Sequence, residues 1–167
     1  RERVGTHVLV ICTKNVVLNW PNEFKKWLKN MQYDVPIHCF SDRVKTIEDR
    51  IDLLADYKKR GGVAIISYNM FYMLVLKKKI DYRKDTPEVQ ELKRQLYELA
   101  TNVLTEPGPN LVIIDESSAL RYRRTNFVQA VDLIKTRARI VVTGTPLQNN
   151  LEELKTLINR VINTPQS

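Results

Sequence analysis

Five short apolar runs alternate along this chain with segments patterned as helices: Val8 to Cys12, Ile37 to Phe40, Val63 to Ile66, Leu111 to Ile114 and Ile140 to Val142. That alternation constrains the fold more than any other feature. A run of three to five residues, apolar but for His38 in the second, has the length of a strand and leaves little room for a solvated face. Each therefore reads as a strand buried on both sides, as in a parallel sheet. Parallel neighbours need crossovers, so the helices between them imply βαβ units with right-handed connections and an α/β fold.

The helical stripes follow spacings of three and four. Phe24, Trp27, Leu28 and Met31 form the first, with Pro21 in its opening turn, where a missing N–H costs little. Trp20, Phe24 and Trp27 read as core packing. Ile47, Ile51, Leu54 and Ala55 form the second, ended by Gly61-Gly62. Leu92, Leu96, Leu99, Ala100 and Val103 predict a longer helix between Pro87 and Leu104. Phe127, Ala130, Val131 and Ile134 mark a fourth, and Leu151, Leu154, Leu157, Ile158 and Val161 the last. Most connections are short, but residues 77–106 form a helical insertion before the fourth strand. Glu106-Pro107-Gly108-Pro109 stops it and turns the chain.

At 167 residues the chain is the size of one domain. Its longest apolar stretch, Met70 to Leu76, is far too short to span a bilayer, which argues against a membrane partner. A net charge of +8 favours an acidic partner, and clusters such as Lys77-Lys78-Lys79 and Arg121, Arg123 and Arg124 make nucleic acid the better choice. Cys12 and Cys39 lie inside strand-like runs without CxxC pairing and read as reduced, buried thiols. His7 and His38 have no partner at metal spacing.

Two strands end in chemistry. Leu111-Val112-Ile113-Ile114 runs into Asp115-Glu116, and Ile140-Val141-Val142 into Thr143-Gly144-Thr145-Pro146. Ligands of open parallel sheets bind beyond the carboxyl ends of the strands, where both polar groups fall. A carboxylate there suits Mg²⁺, a hard cation that prefers oxygen ligands and keeps most of its waters. A second carboxylate suits a water that attacks a γ-phosphate, a reaction governed by positioning and electrostatics. Taken alone, an acidic pair after a strand is more simply a solvated loop or a helix cap. The threonine turn after a second strand makes the constellation more specific.

Residues 8–27, "VLVICTKNVVLNWPNEFKKW", resemble motif Ia of the Swi/Snf-type remodelling ATPases of helicase superfamily two. "GGVAIISYNMF" (61–71) resembles motif Ib, "PGPNLVIIDES" (107–117) motif II, and "RARIVVTGTPLQNNLEEL" (137–154) motif III with its extension. All four stand in family order. The insertion and the Pro-Gly-Pro lead-in look most like the ATRX-type branch. The resemblance implies a partial first RecA-like lobe over residues 4–162, a mainly parallel central sheet flanked by helices. It implies ATP and Mg²⁺ as cofactors, with Asp115 holding Mg²⁺ through water and Glu116 positioning the hydrolytic water. Thr143 and Thr145 would sense the phosphate site, with Gly144 beside the nucleotide. Lys14, Asn15, Ser67 and Tyr68 would line the path of one DNA strand's backbone, and Gln148, Asn149 and Asn150 would lie beside it. The implied partners are double-stranded DNA or nucleosomes and a second RecA-like lobe of the same parent chain, in the nucleus.

None of the five glycines fits a phosphate-binding loop, and the chain starts at Arg1 without methionine. The expectation is a fragment of a longer protein, inactive alone, whose parent hydrolyses ATP. Ser118 stands where the family usually has histidine, and Thr13 where proline is usual. A serine cannot supply the ring that links motif II to motif III, which leaves a non-catalytic DNA- or protein-binding module of the same fold as the alternative. A self-contained α/β enzyme acting on another phosphorylated substrate is a third reading.

Overall fold

The computed structural model describes residues 6–30, 34–76, 80–115 and 125–142. The chain forms β1 (His7–Cys12), a single 3-10 turn (Lys14–Val16), α1 (Asn19–Leu28), β2 (Ile37–Phe40), α2 (Ile47–Arg60), β3 (Gly62–Ser67) and α3 (Tyr68–Val75). Then come α4 (Pro87–Ala100), a wider π-type turn (Thr101–Thr105), β4 (Leu111–Asp115), α5 (Thr125–Asp132) and β5 (Arg139–Val142). All five anticipated strands are present, each within a residue of its expected bounds.

The strands form one sheet in the order β2-β3-β1-β4-β5, and every pairing is parallel. The chain leaves the central strand β1 for the edge at β2, returns through β3, and passes over β1 to reach β4. That reversal is the topological switch, and it puts the carboxyl ends of β3, β1 and β4 side by side. Leu9, Val10, Ile11 and Cys12 of β1 are all fully buried, the consecutive burial that an unbroken apolar run predicts. Leu9 and Ile11 face a core with Leu54, Tyr57, Phe71, Leu96 and Ile134 from α2 to α5 and the end of the α5 connection. Val10 and Cys12 face a smaller one, closed by Trp20 and Phe24 of α1.

Several expectations need correcting. Trp27 is 74% exposed, not packed in the core. The covered stripe of α1 is Trp20, Phe24 and Leu28, every fourth residue, and Trp27 falls outside it with its indole N–H donating to Glu23 at 3.2 Å. In α2 the buried partner of Leu54 is Tyr57, while Ala55 faces solvent. Buried strands on both faces hold for the centre of the sheet but not for β5. There Ile140 and Val142 are exposed, at alternate positions of a strand that has a neighbour on only one side among the described residues. The apolar run at Met70 to Leu76 lies mostly within α3, a helix the sequence reading did not assign. Its start is fixed by Ser67, whose hydroxyl accepts from the Met70 N–H at 3.2 Å.

The insertion is part of the core and no ornament on it, since Leu96 and Ala100 of α4 are buried. Its entry is pinned by Asp85, whose carboxylate takes the Lys93 ammonium at 2.6 Å. The hydrogen bond from Lys93, and to a lesser degree the Asp81 N–H, hold Asp85 below the usual carboxylate range against the desolvation that opposes them. The α-helical part ends at Ala100 and the π-type turn carries the helix on through Thr105, close to the expected end at Leu104. Thr101 and Thr105 each turn their hydroxyl onto a carbonyl four residues back, and the following N–H of Glu106 bonds Thr101. Gly62 sits at φ +90°, where a Cβ would come within 2.1 Å of the Pro36 carbonyl oxygen, so only glycine fits beside the β2 lead-in.

Candidate functional site

The register of the sheet assembles the site. Cys12 lies opposite Ser67 across β1 and β3, Ile11 lies opposite Ile114 across β1 and β4, and Asp115 lies opposite Val142 across β4 and β5. Ser67, Cys12, Asp115 and Val142 thus form one row at the carboxyl edge of the sheet. Cys12 is followed by the Lys14–Val16 turn and Ser67 by α3, both starting at this edge. Thr143, Gly144 and Thr145 follow Val142 in the sequence but lie outside the described residues, as do Glu116, Gln148, Asn149 and Asn150.

Asp115 is half-buried and tied at two points. Its Oδ2 accepts the indole N–H of Trp20, in the first turn of α1, at 3.2 Å. Its main-chain carbonyl accepts the hydroxyl of Tyr68, the first residue of α3. The fully buried Cys12 lies beside it. Burial, reinforced by the negative charge of Asp115 and the neighbouring Cys39, pushes the Cys12 thiol up to about 12. A thiol so buried and held neutral at physiological pH is a poor nucleophile, which leaves Asp115 as the charged group of this row.

Of the residues expected along a polynucleotide, the four that are described, Lys14, Asn15, Ser67 and Tyr68, fall at this edge too. Lys14 and Asn15 occupy the turn after β1 with exposed side chains, and Lys14 pairs with Asp42 at 3.3 Å in a solvated contact of little energetic weight. Ser67 is buried and caps α3, and the Tyr68 hydroxyl is engaged by Asp115. The cap and packed ring are thus their visible roles, and Lys14 and Asn15 are the two that present polar groups to solvent. Sequence reasoning missed Trp20, which it assigned to packing. Its signal was position: the opening turn of the helix that follows the strand beside β4.

Among the described residues no three His, Cys, Asp or Glu side chains form a metal-binding group. A single carboxylate at a strand end does fit Mg²⁺, which is commonly held by one or two carboxylates together with water and substrate phosphates. A second polar cluster lies at the opposite, amino edge. His7 Nε2–H donates to the Lys58 carbonyl at 3.1 Å and His38 Nε2–H to the Gly61 carbonyl at 2.8 Å. Both rings stand edge-on to Tyr57, with centroids 5.0 and 5.4 Å away, and its hydroxyl donates to the Val8 carbonyl at 3.0 Å. These groups fasten the end of α2 to the sheet.

The SNF2-related domain model matches residues 2–166. Human "Transcriptional regulator ATRX" is 35% identical over 152 residues, covering 90% of this chain and 6% of that protein. The Drosophila melanogaster "Transcriptional regulator ATRX homolog" is 36% identical over 162 residues, 96% of this chain and 12% of that protein. Human "Helicase ARIP4" is 32% identical over 190 residues, 96% of this chain and 13% of that protein. The chain thus spans between 6% and 13% of the length of these relatives. Among solved structures, the Sulfolobus solfataricus SWI2/SNF2 ATPase core in complex with dsDNA has the same fold, with a TM-score of 0.52 and 21% identity over 98% of this chain and 26% of that one.

Proposed function

Because the chain belongs to the SNF2-related domain family, we propose that it forms part of the first RecA-like lobe of a DNA-dependent ATPase that translocates on duplex DNA and remodels chromatin or other protein–DNA complexes. The observation that carries this reading is the placement of Asp115. Its carboxylate stands at the carboxyl end of β4, beside the central strand where the chain reverses direction, and in register with Val142, the residue before Thr143 in the sequence.

In this reading Asp115 holds Mg²⁺ through a water, and Glu116, its neighbour in sequence, orients the water that attacks the γ-phosphate. Bound Mg²⁺ neutralises charge on the phosphates during transfer. Thr143 and Thr145 sense the phosphate site, and Gly144 lies beside the nucleotide. Lys14 and Asn15 offer charge and amide to the phosphates of one DNA strand, contacts that carry affinity without reading bases. Ser67 and Tyr68 shape the same path from β3, and Gln148, Asn149 and Asn150 extend it. The second lobe of the parent closes over Mg-ATP, and the nucleotide's preference for the closed state turns hydrolysis into movement. The parent acts in the nucleus, on nucleosomes or on other proteins bound to duplex DNA.

The test is ATP hydrolysis by the full-length protein with and without duplex DNA. DNA-stimulated turnover that falls steeply with salt and is abolished by Glu116→Gln is the expected result. This chain alone is expected to show no turnover, and turnover by it that Glu116→Gln abolishes contradicts that part of the reading. Absence of turnover in the full-length protein, with DNA binding retained, favours the non-catalytic module to which Ser118 points.

A further inference from the structure

Two of the segments expected to face a polynucleotide share a feature that the metal-site reading does not use: each sends an aromatic donor to Asp115. Trp20 opens α1, five residues after the exposed Asn15, and its indole N–H reaches Oδ2 of the carboxylate at 3.2 Å. Tyr68 opens α3 directly after the Ser67 cap, and its hydroxyl reaches the carbonyl of the same residue. One bond fixes the side chain and the other the backbone that carries it. Both donors are half-buried, so solvent does not readily take their place.

We infer that Trp20 and Tyr68 are positioning residues that clamp Asp115 and mechanically join the polynucleotide-facing turns after β1 and β3 to the metal-binding carboxylate. The inference rests on the proposed role of Asp115 and deepens it. A carboxylate has two oxygens, and an N–H donor on Oδ2 sets the torsion of the group, so that Oδ1 points in a fixed direction for a metal-bound water. Outer partners of this kind orient metal ligands and tune their affinity. Rigid aromatic rings add a second property. Neither can lengthen or curl, so a shift of the α1 or α3 first turn under a bound strand is passed to Asp115 as a change in its orientation. Coupling of this sort requires a contiguous physical path, and here the path is two side chains long.

The experiment uses the full-length protein labelled with 5-fluorotryptophan, the position-20 signal being assigned as the ¹⁹F resonance lost in Trp20→Phe. Asp115→Asn is expected to move that resonance without nucleotide present, and a short DNA duplex is expected to move it in the otherwise unaltered protein. In parallel, binding of fluorescent ADP is followed as Mg²⁺ is titrated. Tyr68→Phe keeps the ring and removes the donor, and Trp20→Phe removes the donor while leaving a smaller aromatic ring. Each is expected to raise the Mg²⁺ midpoint roughly tenfold while leaving metal-free ADP binding unchanged, a split that general loosening of the fold does not produce. An unmoved resonance in Asp115→Asn together with an unchanged midpoint in both variants overturns the clamp. If the resonance responds to Asp115→Asn but the unaltered protein binds no Mg-ADP, the nucleotide reading fails, and with it the metal half of the clamp. Failure to respond to duplex DNA, with the other results as expected, overturns the mechanical link.

Discussion

The two ends of the sheet carry similar inventories and do different things. At the amino edge His7, His38 and Tyr57 form an aromatic, polar cluster whose side-chain hydrogen bonds run to the carbonyls of Lys58, Gly61 and Val8, with the partly exposed Asp56 carboxylate 3.4 Å from His38 Nδ1. At the carboxyl edge Trp20, Tyr68 and Asp115 form another, but here the aromatic donors converge on one carboxyl-bearing residue. Donors spent on backbone carbonyls hold elements together. Donors spent on an ionisable side chain orient a group that can act on something else. A count of polar residues does not separate the two ends, whereas the Trp20 bond does: it ends on a carboxylate, while the Tyr68 hydroxyl, like the donors of the amino edge, is spent on a carbonyl.

This contrast is broken most severely by Tyr57→Ala. Tyr57 is fully buried at the amino edge, so its loss should cost about 3–5 kcal/mol in denaturant unfolding. Nucleotide binding per folded molecule should be unchanged, and a selective loss of Mg-nucleotide affinity instead would show that the amino edge is more than structural. The converse is Asp115→Asn, which keeps size and a hydrogen-bond acceptor for Trp20. ATP turnover of the full-length protein should fall roughly 100-fold or more, with stability altered by no more than about 1 kcal/mol. Comparable damage to stability and activity would erase the distinction.

A smaller effect sharpens the comparison with pH, because each edge holds one weak acid kept neutral by burial. Cys12 rises from its ordinary 9.0 to about 12, and burial also pushes Tyr57 up from 10.0. A group whose folded value is raised gives stability that is intact below its unfolded value and is lost as pH climbs through the folded one. Stability should therefore decline between pH 9 and about 12, by up to roughly 1.4 kcal/mol per pH unit for each group. Unfolding curves across that range should flatten in Cys12→Ala, and Tyr57→Phe should flatten the upper part of the range. If Cys12→Ala leaves the slope as it was, the thiol is not held neutral by its surroundings.

Much of this was legible because strands buried on both faces write themselves as apolar runs. The runs ending in Cys12, Phe40, Ile66, Ile114 and Val142 located all five strands, and Asp115 stands where its run predicts, at the carboxyl end of β4. What escaped depended on partners far away in sequence. Trp20 looks like any core tryptophan until β4 brings Asp115 beneath it, and Trp27 looks the same while lying outside the covered stripe. Tyr57 was hidden behind the apolar periodicity of α2, since its hydroxyl belongs to a bond with Val8 that no local pattern announces. The helix α3 was overlooked because a short apolar run has no period, and only the Ser67 cap distinguishes it.

The order of the strands also sets when the working edge can exist. β1, β2 and β3 are contiguous in the first 67 residues, so their pairing closes short loops. β4 pairs with the same β1 from far along the chain: the His7 N–H, for example, meets the Asn110 side chain at 2.7 Å across 103 positions. Closing so long a loop adds only modest entropy, but contacts of this range are made slowly. A nascent chain that has emerged only through α3 can already build half of the sheet, with Trp20 and Tyr68 in it, while the acid they are to hold has yet to leave the ribosome.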